Sequence, residues 1–394
     1  MSRENIFTGS TANDGTGDTL RTAFTKVNNN FIELYASANY ASPNIAYTGV
    51  FNGYPATIPV VKGQGIFFTN TSIVLETTGK YWWDGEFDTA NYDLSGVETL
   101  NFYNLGGIKL DFRLGGKSEN LLTDVNLHDI VAIQNNFYVR DLSALETFSA
   151  NNLSYVGNNF QIDTMDNANT QFNFPNLKTI TNNFYYTNND TLENTPQFPA
   201  LETVQNSMYI YYNNATQNTM TFDSLRYVGY LSIYQNDGML TGPEFPALTS
   251  MDGFDMNNNE QMIDPPTFPV LETVTGSFNF YSQDSVTAAP STPSLVSCSS
   301  IQWYDNTLMA NGFNFSSLKE VNGNVNFSGN ALDETSVNYI LTTFAGLNGA
   351  NGTTSYDSYT INVSGGTNAI PTGNGLTAIT TLEGRSCTVN YNAP

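Results

Sequence analysis

The sequence predicts a repeat solenoid, a mostly-β stack of coils in which each coil adds one strand to a parallel sheet. Three observations carry this. A leucine slot recurs at Ile130, Leu153, Leu177, Leu201, Leu225, Leu248, Leu271, Leu295 and Leu318, in steps of 23 or 24 residues. Behind each slot an apolar-x-apolar pair alternates as a strand with one buried face does. A polar column then follows at Asn189, Asn213, Asn236, Asn259, Gln283, Asn306 and Asn330.

Residues 1–40 form a separate N-terminal segment. A glycine turn leads to Asp18, placed to cap a helix by accepting from its free backbone N–H groups. Leu20, Phe24, Val27, Phe31 and Leu34 then keep the a/d spacing of a coiled coil for about two heptads. An amphipathic helix packed on its own chain fits this seam. So does a helix that docks on partner chains or joins copies of itself, as in a trimer. The string Asn13-Asp14-Gly15-Thr16-Gly17-Asp18-Thr19-Leu20-Arg21-Thr22-Ala23-Phe24-Thr25-Lys26-Val27-Asn28-Asn29-Asn30-Phe31-Ile32-Glu33-Leu34-Tyr35 is similar to a segment of tail, baseplate and fibre proteins of contractile-tailed bacteriophages, notably those of cyanobacteria and other aquatic hosts. The resemblance covers about residues 5–36. It implies a virion structural protein of the tail, with residues 1–36 attaching to other tail or baseplate proteins.

Residues 41–124 are expected to form a β-rich connection. Gly65-Ile66-Phe67-Phe68 and Lys80-Tyr81-Trp82-Trp83 read as β structure, and Val97 and Leu100 suit a degenerate first coil.

The regular stack is expected over residues 125–330. Its second apolar slot holds Ile133, Val156, Ile180, Val204, Val228, Met251, Val274, Cys298 and Val321. The third holds Phe137, Phe160, Phe184, Met208, Leu231, Phe254, Phe278, Ile301 and Val325, and the fourth Val139, Ile162, Tyr186, Ile210, Ile233, Met256, Phe280, Trp303 and Phe327. Length varies in the turn before the strand, where a slip does not flip side chains between faces. A buried amide at one place on every coil can bond the backbone of the next. Two coils carry Leu142 and Met165 there, so an irregular or shielded corner is expected in them. Phe174-Pro175, Phe198-Pro199, Phe245-Pro246 and Phe268-Pro269 precede the leucine slot. Phe fills the core and Pro fixes an extended bend on the outer side, which favours loops or short 3₁₀ turns over helix. The motif Phe-Pro-x-Leu-x-x-Val, turn, strand, Asn resembles the leucine-rich repeat, in the loose form of receptor L domains and of bacterial and phage surface proteins. Phe, Met and Trp often replace its usual Leu.

Residues 331–394 are expected to cap the stack, whose last edge would otherwise recruit other chains. Val337, Ile340, Leu341 and Phe344 have helical spacing. A strand near 359–363, a helix near 376–382 and a strand at 387–391 complete a small α/β cap.

Composition narrows the function. Thirteen Lys and Arg stand against 36 Asp and Glu, a formal charge of −23, which disfavours nucleic acid and anionic lipid as partners. Only 12% of residues are charged and 13% are aromatic, unlike a disordered chain. MSRENIFTGS lacks the apolar core of a signal peptide, and no apolar run approaches the ~18 residues of a membrane span, so a soluble, cytoplasmically made protein is expected. Cys298 and Cys387 sit between apolar neighbours, as buried free thiols do. His128 is the one histidine, too few for a conventional zinc site or a Ser/Cys–His mechanism. No phosphate-binding or dinucleotide fingerprint occurs in the right context. No cofactor, metal or catalytic residue is predicted. Asp163, Asp255 and Asp305 fall near strands, either as surface carboxylates or as candidates for a glycosidase pair.

The outward strand positions form two rows. Tyr occupies seven of their eighteen places: Tyr138, Tyr185, Tyr209, Tyr211, Tyr234, Tyr281 and Tyr304. Tyrosine offers flat apolar area and a hydroxyl at low entropic cost, which suits sugars and protein partners. It is also simply a good strand former. Joined to the phage resemblance, the rows lead to a non-enzymatic tail-fibre or baseplate adhesin that binds a host-surface glycan or protein. The competing expectations are a purely structural baseplate, collar or head-decoration protein, and a glycan-degrading tail enzyme.

Overall fold

The computed structural model describes residues 45–51, 54–60, 64–68, 72–83, 86–89, 97–116, 121–165, 167, 169–215 and 219–394. The expected N-terminal helix, with Leu20, Phe24, Val27, Phe31 and Leu34, lies outside the described residues. The chain forms a parallel β-solenoid of about twelve turns with coils of about 24 residues.

The stacking follows the sequence period. Third-slot residues pair in register from Phe112 through Phe137, Phe160, Phe184, Met208, Leu231, Phe254, Phe278 and Ile301 to Val325. Residues of all four apolar slots are buried. On the opposite wall of the core, Phe174, Phe198, Phe222, Phe245 and Phe268 stack face to face, with centroids 5.5, 6.0, 5.4 and 5.4 Å apart. Each begins a tight turn: Leu201 N–H donates to the Phe198 carbonyl at 3.2 Å, and Leu225, Leu248 and Leu271 repeat the bond. Where proline is present, it therefore occupies the second place of a hydrogen-bonded turn, which its fixed φ suits, and not an extended bend.

Coils before residue 125 join the same sheet. Thr99–Ile108 pairs in parallel with Asp124–Asn126 and Ala132–Ile133, and Phe87–Asp88 pairs with Phe112–Leu114. Ser72–Trp83 pairs in parallel with Thr99–Ile108 and antiparallel with Gln64–Phe68. Ile45–Phe51 and Tyr54–Val60 form a separate hairpin.

Two amide ladders satisfy the corners. The column seen in the sequence is fully buried: Asn236 Oδ1 accepts from the backbone N–H of Asn213 at 3.2 Å, and its Nδ2 donates to the Ile210 carbonyl at 3.0 Å and to Asn259 Oδ1 at 3.0 Å. The pattern runs from Asn189 to Asn330. A second ladder lies in the turn before the strand. There Asp111, Asn136, Asn159 and Asn183 accept in turn from the backbone N–H of Asn136, Asn159, Asn183 and Ser207, at 3.0, 3.2, 3.3 and 3.1 Å.

The cap continues the sheet. Helix Glu334–Gly346 begins at Asp333, whose carboxylate accepts from Ser336 N–H at 2.7 Å, and it buries Val337, Ile340, Leu341 and Phe344. Strands Thr360–Asn362 and Thr388–Asn390 extend the parallel ladder, and helix Gly373–Glu383 connects them. Asn368 adds a rung, accepting from Leu332 N–H and donating to the carbonyls of Phe327 and Val363. Cys298 and Cys387 are buried free thiols.

Candidate functional site

The outward strand face is built by register. Tyr211, Tyr234, Asn257, Tyr281 and Tyr304 occupy one row on five successive coils. Tyr138, Gln161, Tyr185, Tyr209, Ser232, Asp255, Asn279 and Gln302 occupy the neighbouring row.

Parallel pairing places like side chains face to face, so the tyrosines stack. Tyr185 and Tyr209 lie 5.1 Å apart, Tyr211 and Tyr234 4.8 Å, and Tyr281 and Tyr304 4.9 Å, with near-parallel rings in each pair. Tyr209 meets Tyr211 edge-on at 6.5 Å, which joins the first two pairs into one aromatic patch. Asn257 interrupts the outer row between Tyr234 and Tyr281. At ~4.8 Å per strand the two rings flanking it stand about 10 Å apart. The floor beside this gap is polar: Asp255 accepts from Asn257 Nδ2 and from Asn279 Nδ2, and Asn279 Oδ1 is buried with no partner. Tyr138 stands apart from the other tyrosines, under the Arg113 guanidinium at 4.9 Å.

Partial burial pushes the phenols of Tyr185, Tyr211, Tyr234, Tyr281 and Tyr304 above the ordinary tyrosine value. The nearby Asp255 charge adds to this for Tyr281 and Tyr304. These five tyrosines therefore present neutral hydroxyls, able to donate and to accept, throughout the physiological range.

Two aromatic residues of the face were not legible in the sequence rows. Tyr212 has φ 54° and packs edge-on against Tyr211 and Tyr234, at 5.4 and 5.8 Å. Tyr230 lies over Gly253 of the next coil, where a Cβ would stand 2.8 Å from its ring. Burial, then the Asp255 charge, raises its phenol to about 12. The only signal for Tyr230 is its pairing with a glycine one period later.

His128 stacks on Tyr103 at 3.8 Å, its Nε2 lies 3.3 Å from Asn101 Oδ1, and burial lowers its pKa. Asp163 accepts from Thr187 Oγ1 and Asn188 Nδ2 at 2.7 and 2.8 Å. It stands four coils from Asp255, about 19 Å at ~4.8 Å per strand, beyond the roughly 5–9.5 Å of a glycosidase pair. Asp305 follows the strand, with φ 54°. Among the described residues, no three His, Cys, Asp or Glu side chains gather as a metal site, and no helix is long and apolar enough to cross a membrane.

The row also continues upstream of the residues singled out in the sequence. Tyr138 pairs with Arg113, and Arg113 with Asp88. No protein-family model matches the chain, and neither does any curated protein.

Proposed function

We propose that the chain is a virion structural protein of a tailed bacteriophage, a tail-fibre or baseplate-attached adhesin whose strand face grips a host-surface glycan or protein. The observation that carries the reading is the aligned tyrosine array: two aromatic blocks on one flank, separated by a polar gap at Asn257. Stacked rings offer flat apolar area, and their hydroxyls and the adjoining amides offer donors and acceptors. That combination recognises pyranose faces and polar protein surfaces. The N-terminal string supplies the attachment half of the proposal. Residues 1–36 dock onto tail or baseplate proteins, and the a/d seam joins copies as a trimer. Several copies on one particle convert weak, reversible contacts into lasting adhesion.

The test uses the purified full chain on an array of bacterial envelope polysaccharides and on whole cells. Wild type should bind, and Tyr211→Ser/Tyr234→Ser/Tyr281→Ser should lose roughly tenfold or more in affinity while keeping a cooperative melt. A face covered by another virion protein in the assembled particle would replace the adhesin with a purely structural role. Release of reducing sugar would point to a tail enzyme.

A further inference from the structure

The strand face is not uniform along the stack. In the outer row, the coil before Arg140 carries Gly115 where the later coils carry a side chain, because Leu114 pairs with Val139 and the chain then runs into Gly115-Gly116. Gly115 has φ 100° and Gly116 φ 91°. A Cβ on Gly115 would collide with the Arg140 carbonyl oxygen, and one on Gly116 would stand 3.3 Å from the Arg140 guanidinium. Gly115 N–H is tied to the buried Thr89 Oγ1 at 2.9 Å. Beside this glycine turn lies a cavity of about 240 Å³, lined by Asp88, Arg113, Tyr138, Arg140 and Gln161.

Asp88, Arg113, Tyr138 and Gln161 reach it from one row on four successive coils. Arg113 is held in place from both sides: its Nε donates to Asp111 at 2.9 Å, and Tyr138 lies under its guanidinium at 4.9 Å. Asp111 is itself fixed by Asn136 N–H and Nδ2, at 3.0 and 2.9 Å. The wall is thus set before any ligand arrives, which lowers the ordering cost of binding.

We infer that this cavity is a subsite for a single uncharged sugar ring, held by Asp88, Arg113, Arg140 and Gln161 through its hydroxyls, with Tyr138 as the apolar wall. Size argues for one ring, since drug-sized ligands take about 300–1,000 Å³. Charge argues against an anion. Arg113 is paired with Asp111, Arg140 lies 3.8 Å from Asp141, and Asp88 stands on the wall. Two guanidiniums offset by carboxylates in a chain of net charge −23 give no field that would gather anions. What they give is a ring of planar donors and acceptors. Vicinal hydroxyls donate to a carboxylate or an amide oxygen and accept from a guanidinium. The inference rests on the glycan-binding reading of the face only for the course of the rest of the saccharide, which would leave past Gln161 toward Tyr185.

The test is saturation-transfer NMR on the full chain with methyl glycosides of glucose, galactose, mannose and N-acetylglucosamine, and with methyl glucuronide as the charged arm. At least one neutral glycoside should bind. Arg140→Ala should weaken it roughly tenfold, as expected for one lost charge-assisted hydrogen bond. Asp88→Asn serves as a second variant, and the melt of each shows that it folds. No signal from any neutral glycoside overturns the inference. So does wild-type affinity in both cavity variants, or tighter binding of the glucuronide. Because no host material is used, these outcomes are separate from success or failure on cells and polysaccharides.

Discussion

The early coils and the later ones meet the same need at different corners and with opposite polarity. In residues 111–183 an Asp or Asn side chain stands in the turn before the strand, and its oxygen accepts from the coil that follows. In residues 189–330 an amide stands after the strand, and its oxygen accepts from the coil that precedes. The coil holding both Asn183 and Asn189 carries the two arrangements at once. Where the first ladder serves, the second corner is apolar, filled by Leu142 and Met165. Where the second serves, the turn before the strand has become strand in most coils: Thr203–Tyr211, Ser250–Asn257 and Thr273–Tyr281 run unbroken, whereas Tyr155–Val156 and Phe160–Asp163 are separate, as are Glu320–Val321 and Val325–Asn326 at the end of the stack. Most of these coils carry one such side chain, and the coil of Asn183 and Asn189 carries two.

The sharpest way to break this comparison is to delete one rung from each ladder. Asn236 is fully buried and also caps the Tyr234 carbonyl at 3.0 Å. Asn236→Ala would strand the buried Asn213 N–H and Ile210 carbonyl away from water and unpair the part-buried Tyr234 carbonyl. A loss of about 3–5 kcal/mol is expected in urea titration, from unmet buried groups at about 1–3 kcal/mol each. Amide exchange should rise first in the adjoining coils, because a solenoid couples nearest neighbours. Asn159 is half-buried, so water can replace it, and Asn159→Ala should cost about 1–2 kcal/mol. Equal losses at the two sites would show that the corners are equivalent.

A second difference is chemical. Burial raises the Cys298 thiol to about 12, and Tyr230 reaches about 12 for the same main reason. Both belong to later coils. The folded chain keeps these protons where the unfolded chain gives them up, from about 9 for the thiol and about 10 for the phenol. Stability is therefore whole below pH 9 and is lost as pH rises toward 12. The slope from Cys298 is at most about 1.4 kcal/mol per pH unit. Cys298→Ala should flatten the fall of the urea midpoint between pH 9 and 10.5, even if its starting stability is lower. An unchanged slope would show that the thiol does not titrate as its burial dictates.

Much of this was legible because a solenoid writes its fold along the chain. Every leucine slot from Ile130 to Leu318 is buried, and the cap helix begins at Asp333, next to its apolar stripe. The first ladder was hidden because Asn-Asn pairs such as Asn158-Asn159 look like any polar turn. Only the backbone N–H they receive gives them a role. The φ near +53° that opens this corner, whether an amide or an apolar residue follows, was hidden too, since Asp141, Thr164, Asn188, Tyr212, Gln235, Asn258, Ser282 and Asp305 share no single side-chain chemistry. The tyrosine alignment followed from the period. The cavity did not, because Gly115-Gly116 reads as an ordinary turn until its neighbours are in place.

The smallest expected effect tests whether sequence or coil shape ends the second ladder at Met165. Met165 N–H already donates to Asn189 Oδ1 at 3.1 Å, so the last rung reaches this corner. An asparagine there would meet the same surroundings as Asn189, whose Nδ2 faces Asn213 Oδ1 at 3.0 Å and the Ile162 carbonyl at 3.4 Å. Met165→Asn gives up apolar burial of about 1.5–3 kcal/mol and regains two or three hydrogen bonds of about 1 kcal/mol each. A net change within about 1 kcal/mol is expected in urea titration. Leu192→Asn, equally buried but off the ladder, gains no such partners and should cost about 3–5 kcal/mol. If the two losses match, the apolar corner of the early coils is imposed by their backbone. If Met165→Asn is tolerated, the corner accepts either chemistry, and the early coils differ only because their turn already carries an amide.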